Sequence, residues 1–148
     1  MSLHDLVNAI ESETENINEL LSYIAQQREA VISKDLEAIQ DLMKLLHSSS
    51  LEIYKDETLR DKAATLVAAE FGCEKNLHAI CEALGDRGEQ LRISGEKLEK
   101  SVKAVGAELK ILRRLLEEGQ KYNDMMLSEI RRFEGPDFFE GSSMDIKG

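Results

Sequence analysis

The stretch LRISGEKLEKSVKAVGAELKILRRLLEEGQKYNDMMLSEIRRF, residues 91–133, decides what kind of fold this chain can form. Its seam reads Leu91, Gly95, Leu98, Val102, Val105, Leu109, Leu112, Leu116, Gly119, Asn123, Met126, Ile130 and Phe133. Steps of three and four alternate along it, which is the period of one helix face laid along another. Gly95, Val102, Leu109, Leu116, Asn123 and Ile130 take the a positions of the heptad. A single helix is predicted from about Glu89 to Phe133, roughly 65 Å long at 1.5 Å per residue. Gly135 and Pro136 stop it.

Upstream, a second amphipathic stripe runs through Leu3, Val7, Ile10, Thr14, Ile17, Leu21, Ile24, Arg28 and Val31. It predicts a first helix over about Leu3 to Ser33, with the glutamates of ESETENINE on solvated faces. Ser33 or Asp35 can cap a new helix, and so short a turn implies antiparallel neighbours. The next stripe, Leu36, Ile39, Met43, Leu46, Ser50 and Ile53, predicts a helix to about Glu57, weakened at His47–Ser50. Between Thr58 and Gly88 the pattern shortens into two short helices or one kinked helix, with a left-handed stop expected at Gly72 and a further end at Gly85. The fold class is therefore all-α: an antiparallel helical bundle with coiled-coil-like helices and a long C-terminal helix. One domain is expected over residues 1–135, followed by a flexible acidic tail over 136–148.

Composition agrees. Leu, Glu, Lys and Ala dominate, with one Pro and no Trp among 148 residues, and all four lose little freedom in a helix. The formal charge of −10 repels a phosphate backbone, and no basic run exceeds the pairs Arg113-Arg114 and Arg131-Arg132, so nucleic acid is excluded as a partner. The longest near-apolar run, AATLVAA (Ala63–Ala69), is far too short to span a bilayer. The opening MSLHDLVNAIESE is acidic where a signal peptide is basic, which points to a cytoplasmic protein.

No catalytic or metal chemistry is legible. The residues three before His4, His47 and His78 are Met1, Lys44 and Lys75, so the Glu-x-x-His pairs of a di-iron bundle are missing. No phosphate-binding loop, nucleophile elbow or H-E-x-x-H is present. Cys73 and Cys81, if on one helix, stand roughly 12 Å apart, too far for a disulfide. Glu74, His78 and Cys81 share a helical face, but small residues filling a core suit them better than zinc. The expectation is no enzyme, no cofactor and no metal.

The weak place in the long seam is Gly119 with Asn123. Glycine costs roughly 0.8–1.0 kcal/mol against alanine in a helix interior. Asn123 suits a register-fixing role, and Gly119 suits close approach of a neighbour. The alternative is functional: the final turns are incompletely covered, and Met125, Met126, Leu127, Ile130 and Phe133 form an adaptable apolar groove for an amphipathic partner helix. Phe138 and Phe139 form an apolar pair in an otherwise polar tail, either incidental at a frayed end or able to cap that groove.

The amphipathic first helix, the DLEAIQDLMK of the second and YNDMMLSEI (Tyr122–Ile130) near the end together resemble the FlgN family of flagellar type III export chaperones. The resemblance is best over Leu3–Leu46 and Leu98–Phe133. It implies a cytoplasmic, non-enzymatic chaperone that binds the C-terminal helices of hook-associated (hook–filament junction) subunits, keeps them unassembled and presents them at the export gate. It also implies client contact at Asn123, Met126, Leu127 and Ile130, with Tyr122 facing a gate component. The competing reading is a structural coiled-coil adaptor, or a homodimer that pairs through its long seam.

Overall fold

The computed structural model describes residues 2–118 and 123–134, and every structural statement below concerns these. They form α1 (Ser2–Ser33), α2 (Leu36–Phe71), α3 (Leu77–Leu84), a 3₁₀ turn (Gly85–Gly88), α4 (Glu89–Glu118) and α5 (Asn123–Glu134). No strand occurs among the described residues, so the all-α bundle is the observed fold.

The first turn is tight because Lys34 takes a left-handed conformation, φ 57°, which only glycine adopts without cost. Asp35, rather than Ser33, then caps α2, its carboxylate accepting the Ala38 amide at 3.1 Å. α2 does not stop near Glu57. It runs on through Thr58 and ends at Gly72, φ 63°, where the amides of Gly72 and Cys73 both return to the Ala68 carbonyl. The His47–Ser50 run stays helical, with Ser49 and Ser50 buried and the Ser50 hydroxyl bonded to the His47 carbonyl. Asn76 caps α3 by accepting the Ala79 amide at 2.7 Å. Cys73 therefore lies in the turn before α3 and Cys81 within it, not on one helix; both are free thiols. Glu74 is likewise outside α3, while His78 faces Glu82 at 3.2 Å.

α1 and α2 are antiparallel, as the pairs Ser12–Asp56 and Gln27–Ile39 show. α4 returns parallel to α1: Ser94 bonds Glu11, Ser101 bonds Asn18 at 2.8 Å, and Arg28 pairs with Glu108 at 2.9 Å. α1 is thus covered on two sides, which rotates its buried stripe. Leu6, Ile10, Glu13, Ile17, Leu20, Ile24 and Gln27 are fully buried, whereas Leu3, Val7, Thr14, Leu21, Arg28 and Val31 are only half-buried.

Glu13 is consequently not on a solvated face. It is 0% exposed and faces Arg60, 1% exposed, with Nε 3.0 Å from Oε1. The N–H is off that line, so the contact is an ion pair without an aligned hydrogen bond. Burial, opposed by Arg60, pushes the Glu13 carboxyl up to about 7, and burial raises Glu57 as well. Asp56 alongside accepts from Ser12 and Asn16.

α3 closes the same end of the bundle. Its Leu77 occupies the space where a Cβ on Gly95 would lie, with a methyl 2.1 Å away, so glycine is what lets α3 sit on α4. Arg87 of the 3₁₀ turn stacks over the Phe71 ring at 5.2 Å and ties that turn to the end of α2.

The continuous rod from Glu89 to Phe133 does not form. α4 ends at Glu118, and Arg113 contacts Glu134, 21 positions later. In a straight helix those residues stand about 31 Å apart, so the chain reverses and α5 runs back along α4. Burying the apolar face of α5 against the bundle is favourable, and leaving it as the end of a rod is not.

Candidate functional site: the seat of the last helix

α5 is twelve residues long. Isolated helices of that length are marginal in water, so what holds it is the surface on which it sits. Met126, Ile130 and Phe133, spaced four and three apart, form its inward face and are 1%, 2% and 3% exposed. α5 packs on α2 and α4. Its three buried side chains share one apolar cluster with Ile24, Ile39, Leu46, Leu109, Leu112 and Leu116, and Leu127 lies half-buried at the margin.

The floor of the seat carries one fully buried polar residue, Gln27 of α1. Its Nε2 donates to the Ile39 carbonyl at 3.0 Å and lies 3.1 Å from the Met126 sulfur. Its Oε1 has no donor among the described residues. The rim is polar on both sides. On one, Arg132 contacts His47 and lies 3.5 Å from Glu129, which is itself 4.0 Å from His47. On the other, Arg113 meets Glu134. These contacts are partly exposed, so each contributes at most about 1 kcal/mol; the apolar face holds the helix and the rim orients it.

Met126, Ile130 and Phe133 thus come together, with Leu127 beside them, but they are covered by the chain itself. The open groove expected at the end of a rod is absent from this state, for the reason that reverses the chain. Asn123 and Met125 lie on α5, with side chains outside the described set. Gly119, Tyr122, Phe138 and Phe139 fall outside the described residues altogether, as does the tail expected over 136–148. Gln27, His47 and Arg113 escaped the sequence reading. For Gln27 a signal existed: Leu6, Glu13, Leu20 and Gln27 recur every seven residues, a heptad hidden by its polar members.

Compared with models of known families, the sequence matches that of the FlgN protein over residues 1–137. The chain belongs to the FlgN family. That assigns it, in general terms, to the flagellar export chaperones, which bind flagellar subunits. Comparisons with curated proteins and with solved structures gave no match. No helix among the described residues of this FlgN-family chain is long and apolar enough to cross a membrane.

Proposed function

We propose that this cytoplasmic chaperone binds the amphipathic C-terminal helix of a hook-associated subunit at the α5 seat and hands it to the export gate. In the free chain α5 fills the seat. On binding, α5 moves off, the client helix enters against the bundle, and the face formed by Met126, Leu127, Ile130 and Phe133 packs over it. Asn123, Met125, Gly119 and the Phe138-Phe139 pair belong to the same surface in this proposal, and Tyr122 faces the gate. The observation that carries it is a twelve-residue helix whose three large apolar side chains are buried on a neighbouring surface rather than in a core of its own. Such an element exchanges for another helix with the same apolar pattern.

The test is binding of synthetic peptides copying C-terminal helices of hook-associated subunits to the full chain and to Met126→Asp. The carboxylate cannot enter either apolar face cheaply, so affinity is expected to fall by more than about 1 kcal/mol. Unchanged affinity in a folded variant rejects the site.

A second reading has one observation in its favour. Leu59 and Leu66, 57% and 60% exposed, stand seven residues apart on the outer face of α2, the spacing of a coiled-coil contact between copies. Under that reading the chain is a structural adaptor that dimerises through α2. Leu59→Lys with Leu66→Lys then dissociates it in sedimentation equilibrium and leaves peptide binding unaffected.

A further inference from the structure

α5 runs in the same direction as α2. Met126 stands level with Ile39, since both meet the Gln27 amide, and Arg132 stands level with His47. The chain therefore leaves α5 at Glu134 heading toward the residues of α2 that follow His47. There α2 exposes two large side chains, Leu51 at 48% and Tyr54 at 66%. His47, Leu51 and Tyr54 are spaced four and three apart, so they share one face, and it is the face to which the last turn of α5 is tied.

Fourteen residues follow Glu134, and Phe138-Phe139 are the only aromatics among them. Phe138 is four positions past Glu134, a reach of up to roughly 14 Å in extended chain. Leu51 and Tyr54 lie about 6 and 10 Å along α2 from His47 at 1.5 Å per residue. The reach thus matches the distance. Charge matches too: Asp137 and Glu140 flank the phenylalanines, while Lys55 follows Tyr54 and is 70% exposed, its amine 3.4 Å from Glu52 and open to a second carboxylate. Leu59, also exposed, lies farther along α2 and is turned about 140° from Tyr54 round the helix, off this path.

We infer that in the free chain Phe138 and Phe139 dock on Leu51 and Tyr54, with Asp137 and Glu140 toward Lys55, so that the tail clasps α5 in its seat. The two rings bring apolar area to a surface that otherwise faces water. Because the tail is tethered beside its target, a contact too weak to hold a separate peptide suffices. The clasp goes beyond the client reading: it concerns the free chain and adds an anchor beyond the last turn of α5. The phenylalanines are stored on α2 until α5 moves, and opening the clasp precedes the freeing of the seat.

A double-mutant cycle in the full chain tests the contact without a client. Phe138→Ser with Phe139→Ser removes the anchors, and Leu51→Ala with Tyr54→Ala removes their floor, which is exposed enough to leave the bundle folded. Amide hydrogen exchange of residues 123–134 reports how firmly α5 is seated. Each pair of substitutions is expected to speed that exchange about tenfold. All four together are expected to give no more than about tenfold, since the second pair removes a contact already lost. Leu59→Ala with Leu66→Ala is the control and is expected to leave it unchanged. Unchanged exchange after loss of the phenylalanines overturns the inference, as does a multiplied effect of about a hundredfold when all four residues are replaced. The effect is expected to be independent of protein concentration; a dependence would put the tail on a second copy and overturn the inference as well. No peptide is involved, so this contact and the client reading fail separately.

Discussion

Ile130→Ala puts the seating of α5 to a quantitative test. Ile130 is the middle of three buried side chains on that helix and is 2% exposed. Truncating a buried isoleucine to alanine costs about 2–5 kcal/mol, the lost transfer energy plus the cavity left behind. The three side chains together supply roughly 4.5–9 kcal/mol of gross burial, at about 1.5–3 kcal/mol each. Removing about 3 kcal/mol therefore takes away a third or more of what holds α5. At about 1.4 kcal/mol per tenfold, the population with α5 unseated rises roughly a hundredfold. The rest of the bundle does not depend on that contact, since Leu6, Ile10, Ile17, Leu91 and Leu98 are fully buried at the far end. Amide exchange followed by mass spectrometry separates the two regions. Residues 123–134 are expected to exchange about a hundredfold faster in the variant, with amides of α1, α2 and the first half of α4 unchanged. If α5 keeps its protection, or if all helices lose protection together, α5 is not a separable element and the proposed exchange with a client helix falls.

Two glycines of α4 are expected to respond in opposite directions. Gly106 has nothing within 4 Å of where a Cβ would be, so Gly106→Ala gains helix propensity alone and should stabilise by about 0.8–1 kcal/mol in urea unfolding. Gly95→Ala drives a methyl into Leu77 and should lose about 1–3 kcal/mol to overpacking, more than the propensity gain; stabilisation by both would mean that α3 does not sit where it is described. The buried Glu13 gives a pH signature. Its carboxyl titrates at about 7 in the folded chain against 4.5 when unperturbed, so the folded state holds a proton that the unfolded state releases. The contribution of this site to stability is whole below about 4.5, falls as pH rises and is lost above about 7, by an amount on the order of 3–4 kcal/mol. Asp56, Glu57 and Arg60 face the same site. Glu13→Gln should flatten the difference in urea stability between about pH 5 and pH 7.5, and an unchanged slope would place the titrating group elsewhere.

Apolar spacing predicts the helices where charge and burial agree and misleads where they part. α1 and the start of α2 follow from apolar spacing and a capping aspartate; Gly72 ends α2 in the left-handed conformation, and Gly85 ends α3 at a positive φ of 60° with an extended ψ of −130°. α2 looked broken after Glu57 because Asp56, Glu57 and Arg60 interrupt the apolar stripe, yet they continue it at the same spacing between Ile53 and Ala63 and are buried. Their partner Glu13 sits between Ile10 and Ile17 on the matching stripe of α1, so two apparent defects on different helices are one charged contact in the core. Periodicity was silent on the reversal after Glu118 for a different reason. A heptad records which side chains are inward, and Met126, Ile130 and Phe133 are inward whether the helix runs straight on or folds back. Which of the two occurs depends on whether other helices offer a surface to cover, and that is a property of the assembled bundle rather than of any stretch within it. Gln27 combines both blind spots: it is a polar member of a buried heptad, and its contact with the Met126 sulfur exists only once α5 has returned to meet it.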